Sequence, residues 1–199
     1  CVGKKILAGF NDLGTTHPEL AHEAYKWDPT TLGFGSGKKV KWKCLEGHLW
    51  ECSPNRRTSG RKAKCPVCIN KVILPGFNDL ATTNPELAAQ ADDWDPTTLS
   101  ISSGKRRNWV CKFGHQWSAV VASRSNGVGC PVCSGNSVLI GFNDLATTHP
   151  ELAAQADGWE PTTLTAGSTR EVRWNCKLGH KWHATVADRS RGHGCPICS

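Results

Sequence analysis

The stretch Cys176-Lys-Leu-Gly-His180, completed by Gly194-Cys195-Pro-Ile-Cys198, decides how this chain is read. It holds three cysteines and one histidine in two short chelating pairs, C-x3-H and C-P-x-C. Two such pairs on separate turns place four N/S donors tetrahedrally, which is the arrangement structural Zn²⁺ prefers. Gly179 supplies the backbone freedom a tight knuckle requires. The proline in C-P-x-C stiffens the second turn and leaves the other amides free to face the thiolates.

Working outward, the same quartet occurs twice more, as Cys44, His48, Cys65, Cys68 and as Cys111, His115, Cys130, Cys133. The pairs are 16 residues apart in the first copy and 14 in the other two. Three copies in register make chance implausible and predict three structural zinc ions, one each. Disulfides have no use for a histidine at fixed spacing, so ten of the eleven cysteines, all but Cys52, point to metal. That choice implies a reducing compartment, the cytoplasm. Iron is the competing metal, and the histidine favours zinc. Four protein ligands leave no place for water, which disfavours a catalytic zinc. No nucleophile–base–acid set recurs either, and His183 and His193 each occur in one copy only. An enzyme is not expected.

The quartets belong to a longer repeat. Gly-Phe-Asn-Asp-Leu begins at Gly9, Gly76 and Gly141, and a tryptophan follows each Phe by 17 residues (Trp27, Trp94, Trp159). Two further sets, Trp42, Trp109, Trp174 and Trp50, Trp117, Trp182, complete the nine tryptophans. The period is 67 and then 65 residues, the difference being an insertion within Arg61-Lys62-Ala63-Lys64. The boundaries expected are 1–8 for the tail of an upstream repeat, then 9–70, 71–135 and 136–199 for three repeats. Cys1 lies eight residues before Gly9, as Cys68 and Cys133 precede Gly76 and Gly141. It reads as the last ligand of an upstream repeat, with at most a weak fourth zinc. With no Met anywhere, the chain reads as a segment of something longer.

Each repeat has two halves. Thr16 with Glu19, Thr83 with Glu86 and Thr148 with Glu151 have capping-box spacing, and a proline follows at the first helical turn. A helix of two to three turns is expected from Pro18, Pro85 and Pro150, ending before Trp-Asp/Glu-Pro. His17 and His149 read as helix-start residues, since Asn84 fills the same place. The second half alternates as a β-hairpin around the metal-binding turn, over Glu171 to Cys176 and Lys181 to Ala187 in the third repeat. The fold class is therefore a small α+β zinc-stabilised repeat, a short helix plus a β-hairpin with a Cys3His site. A unit this small builds little core and needs zinc and large aromatics as staples. The tryptophans are read as core rather than as a platform for bases, with Trp50, Trp117 and Trp182 the most open to either role. Cys52, matched by Ala119 and Ala184, reads as a small apolar residue.

These residues resemble a known family. Pro-Glu-Leu-Ala, then Trp, then Gly-Ser before Val-x-Trp-x-Cys, Gly-His-x-Trp, Arg and Gly-Cys-Pro-x-Cys are similar to the family of probable zinc-ribbon, or treble-clef, domains. That family has no established function and occurs in bacteria and some algae, usually as tandem copies. The resemblance covers nearly the whole chain and implies three tandem zinc-ribbon/treble-clef-like units. Some members carry a nuclease-like domain, which nothing here matches. The run Gln-Ala-Asp-Asp-Trp94, and Arg107 where Val40 and Val172 stand, depart from the pattern without touching a ligand.

The formal charge is +7, and it is unevenly spread. The zinc halves (36–71, 103–138, 168–199) hold 21 of the 24 Lys/Arg but only 4 of the 17 Asp/Glu. Each filled site removes one unit of charge, since three thiol protons leave and Zn²⁺ adds two. Arg57, Arg124 and Arg189 are candidates to stabilise the thiolates. Two functions follow. In the favoured one, basic knuckle faces track a nucleic acid backbone, with DNA favoured. Lys38, Lys39, Lys41, Lys43, Arg56, Arg61, Lys62 and Lys64 lead in repeat one. Lys105, Arg106 and Arg107 serve in repeat two, and Arg170, Arg173, Lys177, Lys181 and Arg191 in repeat three. In the alternative, the basic half of one repeat packs on the acidic half of the next, and the array is a structural or protein-binding scaffold without nucleic acid. No apolar run is long enough for a membrane span.

Overall fold

The computed structural model describes residues 5–60 and 62–198. Expectations that fell on Cys1 and Arg61 lie outside the described residues. Two compact units emerge: one runs to Pro85 and takes in Pro96–Ser102, the other holds Glu86–Asp95 and everything from Ser103 onward. Repeat one lies wholly in the first and repeat three wholly in the second.

In repeat one the Gly-Phe-Asn-Asp-Leu loop leads into α1 (Leu13–Thr16), and α2 (Pro18–Ala21) follows after His17. Repeat three has α7 (Leu145–Thr148) and α8 (Pro150–Ala153). The second repeat's pair is α4 (Leu80–Thr83) and α5 (Pro85–Ala88). The expected helix of two to three turns is thus two single turns. They are separated at His17 (φ −143°, ψ 66°), because the residue before proline avoids the helical region. Nor is Thr16 the cap of the helix at Pro18: His17 stands there and makes no side-chain cap bond. Asp12 caps α1 by accepting from the Thr15 amide at 2.8 Å, and Asp79 and Asp144 do the same for Thr82 and Thr147. Each of these aspartates is fully buried and also accepts from the glycine amide three residues before it. That glycine sits at φ +80° to +83°, where a side chain would be strained.

The hairpins are antiparallel pairs: β1 (Val40–Lys43) with β2 (Leu49–Cys52), β3 (Arg106–Val110) with β4 (Gln116–Val120), and β5 (Glu171–Asn175) with β6 (Lys181–Thr185). The second strand then turns directly into a short helix that the sequence reading missed: α3 (Pro54–Thr58), α6 (Val121–Ser125) and α9 (Val186–Ser190). The expected strand to Ala187 therefore overran by two residues. Thr185, the last of β6, is the N-cap of α9, accepting from the Asp188 amide at 3.0 Å.

Trp42, Trp109 and Trp174 are fully buried at the centre of their hairpins. In repeat three Trp174 packs with Leu145, Val172 and Val186; in repeat one Trp42 packs with Leu13, Val40 and Cys52. Cys52 is a core residue, as expected. Trp27, Trp94 and Trp159 meet these rings edge-on at 5.1–5.2 Å. Their indole N–H groups donate to the carbonyls of Lys41, Asn108 and Arg173 at 2.7–2.8 Å. The first half of each repeat is thereby stitched to the outer edge of its hairpin. The residue before this tryptophan is left-handed in all three copies, at Lys26 (φ 60°), Asp93 (φ 60°) and Gly158 (φ 76°).

Candidate metal centres and the basic face

The knuckle between the hairpin strands carries two ligands. Gly47, Gly114 and Gly179 adopt φ +81° to +84°, so the turn closes with a Gly amide donating to the carbonyl of the first cysteine at 2.9 Å. That closure brings Cys44 and His48 to one side. The C-P-x-C turn, past the short helix, supplies the other pair. All four ligand atoms of each quartet lie within 4.8 Å of one another: Cys44, His48, Cys65, Cys68; Cys111, His115, Cys130, Cys133; and Cys176, His180, Cys195, Cys198.

The spacing inside the quartets fits zinc. A tetrahedral ion with Zn–S near ~2.3 Å and Zn–N near ~2.0 Å needs S···S edges of about 3.8 Å and S···N edges of about 3.5 Å. Cys44, Cys111 and Cys176 stand 3.7, 3.8 and 3.8 Å from Cys68, Cys133 and Cys198. The histidine Nδ1 lies 3.4, 3.3 and 3.2 Å from those same three second-pair thiols. Nδ1 is thus the nitrogen turned to the ion in every copy. The donor set is closed, which is the form of a structural site.

The thiols differ. Loss of water around its sulfur and the adjoining Cys44 and Cys65 thiols push Cys68 up to about 12, although the residue as a whole is exposed. Hydrogen bonding to Cys195, then loss of water, pushes Cys198 up to about 11. Cys44 goes the other way. Burial would raise it, but the amides of His48 and Glu46 outweigh burial and hold it below the ordinary thiol value. Zinc must therefore displace a proton from Cys68 and from Cys198.

Arg57, Arg124 and Arg189 were candidates to stabilise thiolates, and the structure gives them a different principal role. Each guanidinium is buried and lies 4.5–5.3 Å over two tryptophan rings, the central one and its cross-strand partner. Each also bonds the helical half, Arg57 to Glu23 at 2.7 Å, Arg124 to Gln90 at 2.5 Å and Arg189 to Gln155 at 2.6 Å. Burial holds Arg124 and Arg189 below the ordinary guanidinium value, and the nearby Cys130 and Cys195 offset only part of that effect. Trp50, Trp117 and Trp182 are half-buried against these arginines, and the buried indole N–H groups of Trp50 and Trp117 make no hydrogen bond.

The basic residues fall into two groups. In repeat one, Lys38, Lys39, Lys41, Lys43, Lys62 and Lys64 are all exposed. None makes an ion pair among the described residues. Lys41 and Lys43 share the outer face of β1. Lys62 and Lys64 line the cleft beside the first zinc site and, with Arg56 and Lys71, a second cleft floored by Trp50. In repeat three, Arg173 and Lys181 instead share Asp157, at 2.7 and 3.3 Å, while Arg170 is exposed. Arg191 pairs with Asp188. In repeat two, Lys105 and Arg106 are exposed, and Arg106 and Arg107 donate to the carbonyls of Ser118 and Arg106 at 2.9 Å. Asp92, equivalent to Asp157, takes Gln116 at 3.0 Å. The described ion pairs join the two halves of one repeat or lie within its zinc half, not one repeat to the next as the scaffold reading expected.

The family described as probable treble clef zinc finger domain matches the chain three times, over residues 19–71, 86–136 and 151–199. Each match ends at or just past a C-P-x-C turn. No curated protein matches.

Proposed function

The chain belongs to the probable treble clef zinc finger family, and from that premise we propose that its zinc-bound repeats are a nucleic-acid-binding module, DNA favoured, in which repeat one makes the main contact. The zinc ions are structural and the module is not an enzyme. Nine cysteines held as zinc ligands suit a reducing compartment such as the cytoplasm. No helix of the described residues is long and apolar enough to cross a membrane.

The observation that carries this reading is the contrast in charge between repeats. Six exposed lysines flank the first zinc site without a partner carboxylate, whereas Arg173 and Lys181 of repeat three share Asp157, which offsets one of their two charges. Unpaired cations clustered around a zinc knuckle are the electrostatic footprint of phosphate binding. Lys105, Arg106 and Arg170 extend the contact weakly. The pairs Glu23–Arg57 and Asp157–Arg173 lie within a single repeat and use a minority of the charges, so they do not supply the pairing between repeats that the scaffold reading needs.

The test is binding of the zinc-loaded chain to duplex DNA, single strands and RNA at two salt concentrations. Affinity should fall steeply with salt, by roughly 0.9 in log–log slope per phosphate neutralised on duplex DNA. Replacing Lys38, Lys39, Lys41 and Lys43 by Ala should flatten that slope by several contacts, and replacing Lys62 and Lys64 by a smaller amount, with zinc content unchanged. Glu19→Ala should leave binding intact. Glu23 is not a neutral control, because it holds the buried Arg57. A chain that ignores all three nucleic acids at low salt has a protein partner instead.

A further inference from the structure

The Gly-Phe-Asn-Asp-Leu loop has two residues that reach beyond their own repeat, although the Asn also bonds within its loop, Asn78 to Leu74 and Val72 and Asn143 to Leu139 and Ser137. Asp12, Asp79 and Asp144 cap a helix, and Leu13, Leu80 and Leu145 fill a core, but the Phe and Asn point back to the preceding zinc turn. Phe77 meets the ring of His48 edge-on at 4.4 Å and 76°, and Phe142 meets His115 at 4.4 Å and 75°. The Asn78 Nδ2 donates at 2.8 Å to the carbonyl of Val67, which lies between the ligands Cys65 and Cys68. Asn143 does the same to Val132, between Cys130 and Cys133, at 2.7 Å. Thr165 of repeat three adds a bond to the Gly135 carbonyl just past the second quartet.

We propose that Phe77 with Asn78, and Phe142 with Asn143, are positioning residues of the zinc centre of the preceding repeat, so that each of these metal sites is completed by the repeat that follows it. The aromatic ring fixes the rotation of the imidazole and keeps Nδ1 on the ion. The asparagine pins the C-P-x-C turn through a carbonyl between its two sulfurs. Removing groups that orient ligands in this way typically lowers metal affinity by roughly 10–100-fold.

Repeat one provides the internal comparison. Its loop has the same backbone bonds, with the Phe10 and Asn11 amides donating to Leu7 as those of Phe77 and Asn78 do to Leu74. Asn11 also makes the same loop bonds to Leu7 and Lys5. Among the described residues Phe10 makes no ring contact, and it is 75% exposed against 38% for Phe77 and 41% for Phe142. The loop conformation therefore does not depend on the aromatic contact, and the placement of Phe77 and Phe142 is explained by the histidine.

The test loads the whole chain with ¹¹³Cd²⁺, follows the three resonances, assigned by single Cys→Ser changes, and times their loss to EDTA. Phe77→Ala should shift the resonance of the Cys44 site and speed its release by roughly tenfold or more, leaving the Cys111 site as it was. Phe142→Ala should do this to the Cys111 site. Phe77→Tyr, which keeps the ring, should restore the slow release. Asn78→Asp, which loses the donor bonds to the Val67 and Val72 carbonyls, should act on the Cys44 site as Phe77→Ala does. Phe10→Ala should change no resonance, and since it strips the same ring from the same loop it controls for loop damage. The proposal is overturned if Phe77→Ala disturbs the Cys111 site as much as the Cys44 site, or disturbs neither.

Discussion

At the scale of the residue, the buried arginine shows how one side chain ties the repeat together. Arg189 stacks 5.3 Å over Trp174 and 5.1 Å over Trp182, bonds Gln155 in the helical half, and donates to the His193 carbonyl on the approach to Cys195. A planar guanidinium can do this and an ammonium cannot, because stacking and a forked donor are needed together. Arg189→Lys should therefore destabilise repeat three by about 1–3 kcal/mol, the range for leaving a buried acceptor unmet. Thermal unfolding followed by near-ultraviolet circular dichroism measures it. A variant as stable as the parent would reduce Arg189 to a spectator of the tryptophan core.

At the scale of the element, the hairpin and its C-P-x-C turn are the unit that metal closes. A four-residue strand pair is marginal alone, and zinc binding, on the order of 10 kcal/mol or more, supplies what the small core lacks. Coordinating thiols must lose their protons, and Cys68, Cys133 and Cys198 hold theirs most firmly, raised to about 12, 11 and 11. Because uptake expels protons, apparent zinc affinity should fall as pH is lowered and rise as it is raised. Competition with a chromophoric chelator between about pH 8 and pH 5, corrected for the chelator's own protonation, reads this directly. An affinity flat across that range would mean the thiols are already ionised before zinc arrives.

At the scale of the whole molecule, the metal sites are not independent beads. Native mass spectrometry should find three zinc ions in the chain and two in Cys111→Ser. In a repeat array, damage spreads chiefly to nearest neighbours. Hydrogen exchange in Cys111→Ser should show lost protection in β3 and β4 and in the Phe142–Asn143 loop that rests on that site, while β1–β2 and β5–β6 keep theirs. Collapse of all three hairpins would point to one shared core instead.

What the sequence determined by itself was the local chemistry. Ligand identity, the glycine at the knuckle, the hairpin around it and the period of 67 and then 65 residues are set by short-range spacing, so they are legible in one dimension. The tertiary structure alone decided the rest. The helices are single turns with no period to read; Asp12 caps the first of them, and His17, not Thr16, stands at the N-cap of the second. It also decided which charges remain free, because Asp157 reaches Arg173 and Lys181 only once the halves have packed. The same holds for the phenylalanine on the zinc histidine, a contact between Phe77 and His48 that no periodicity encodes. Such contacts join residues distant in sequence, and only closure of the chain around its tryptophans and zinc sites brings them within reach.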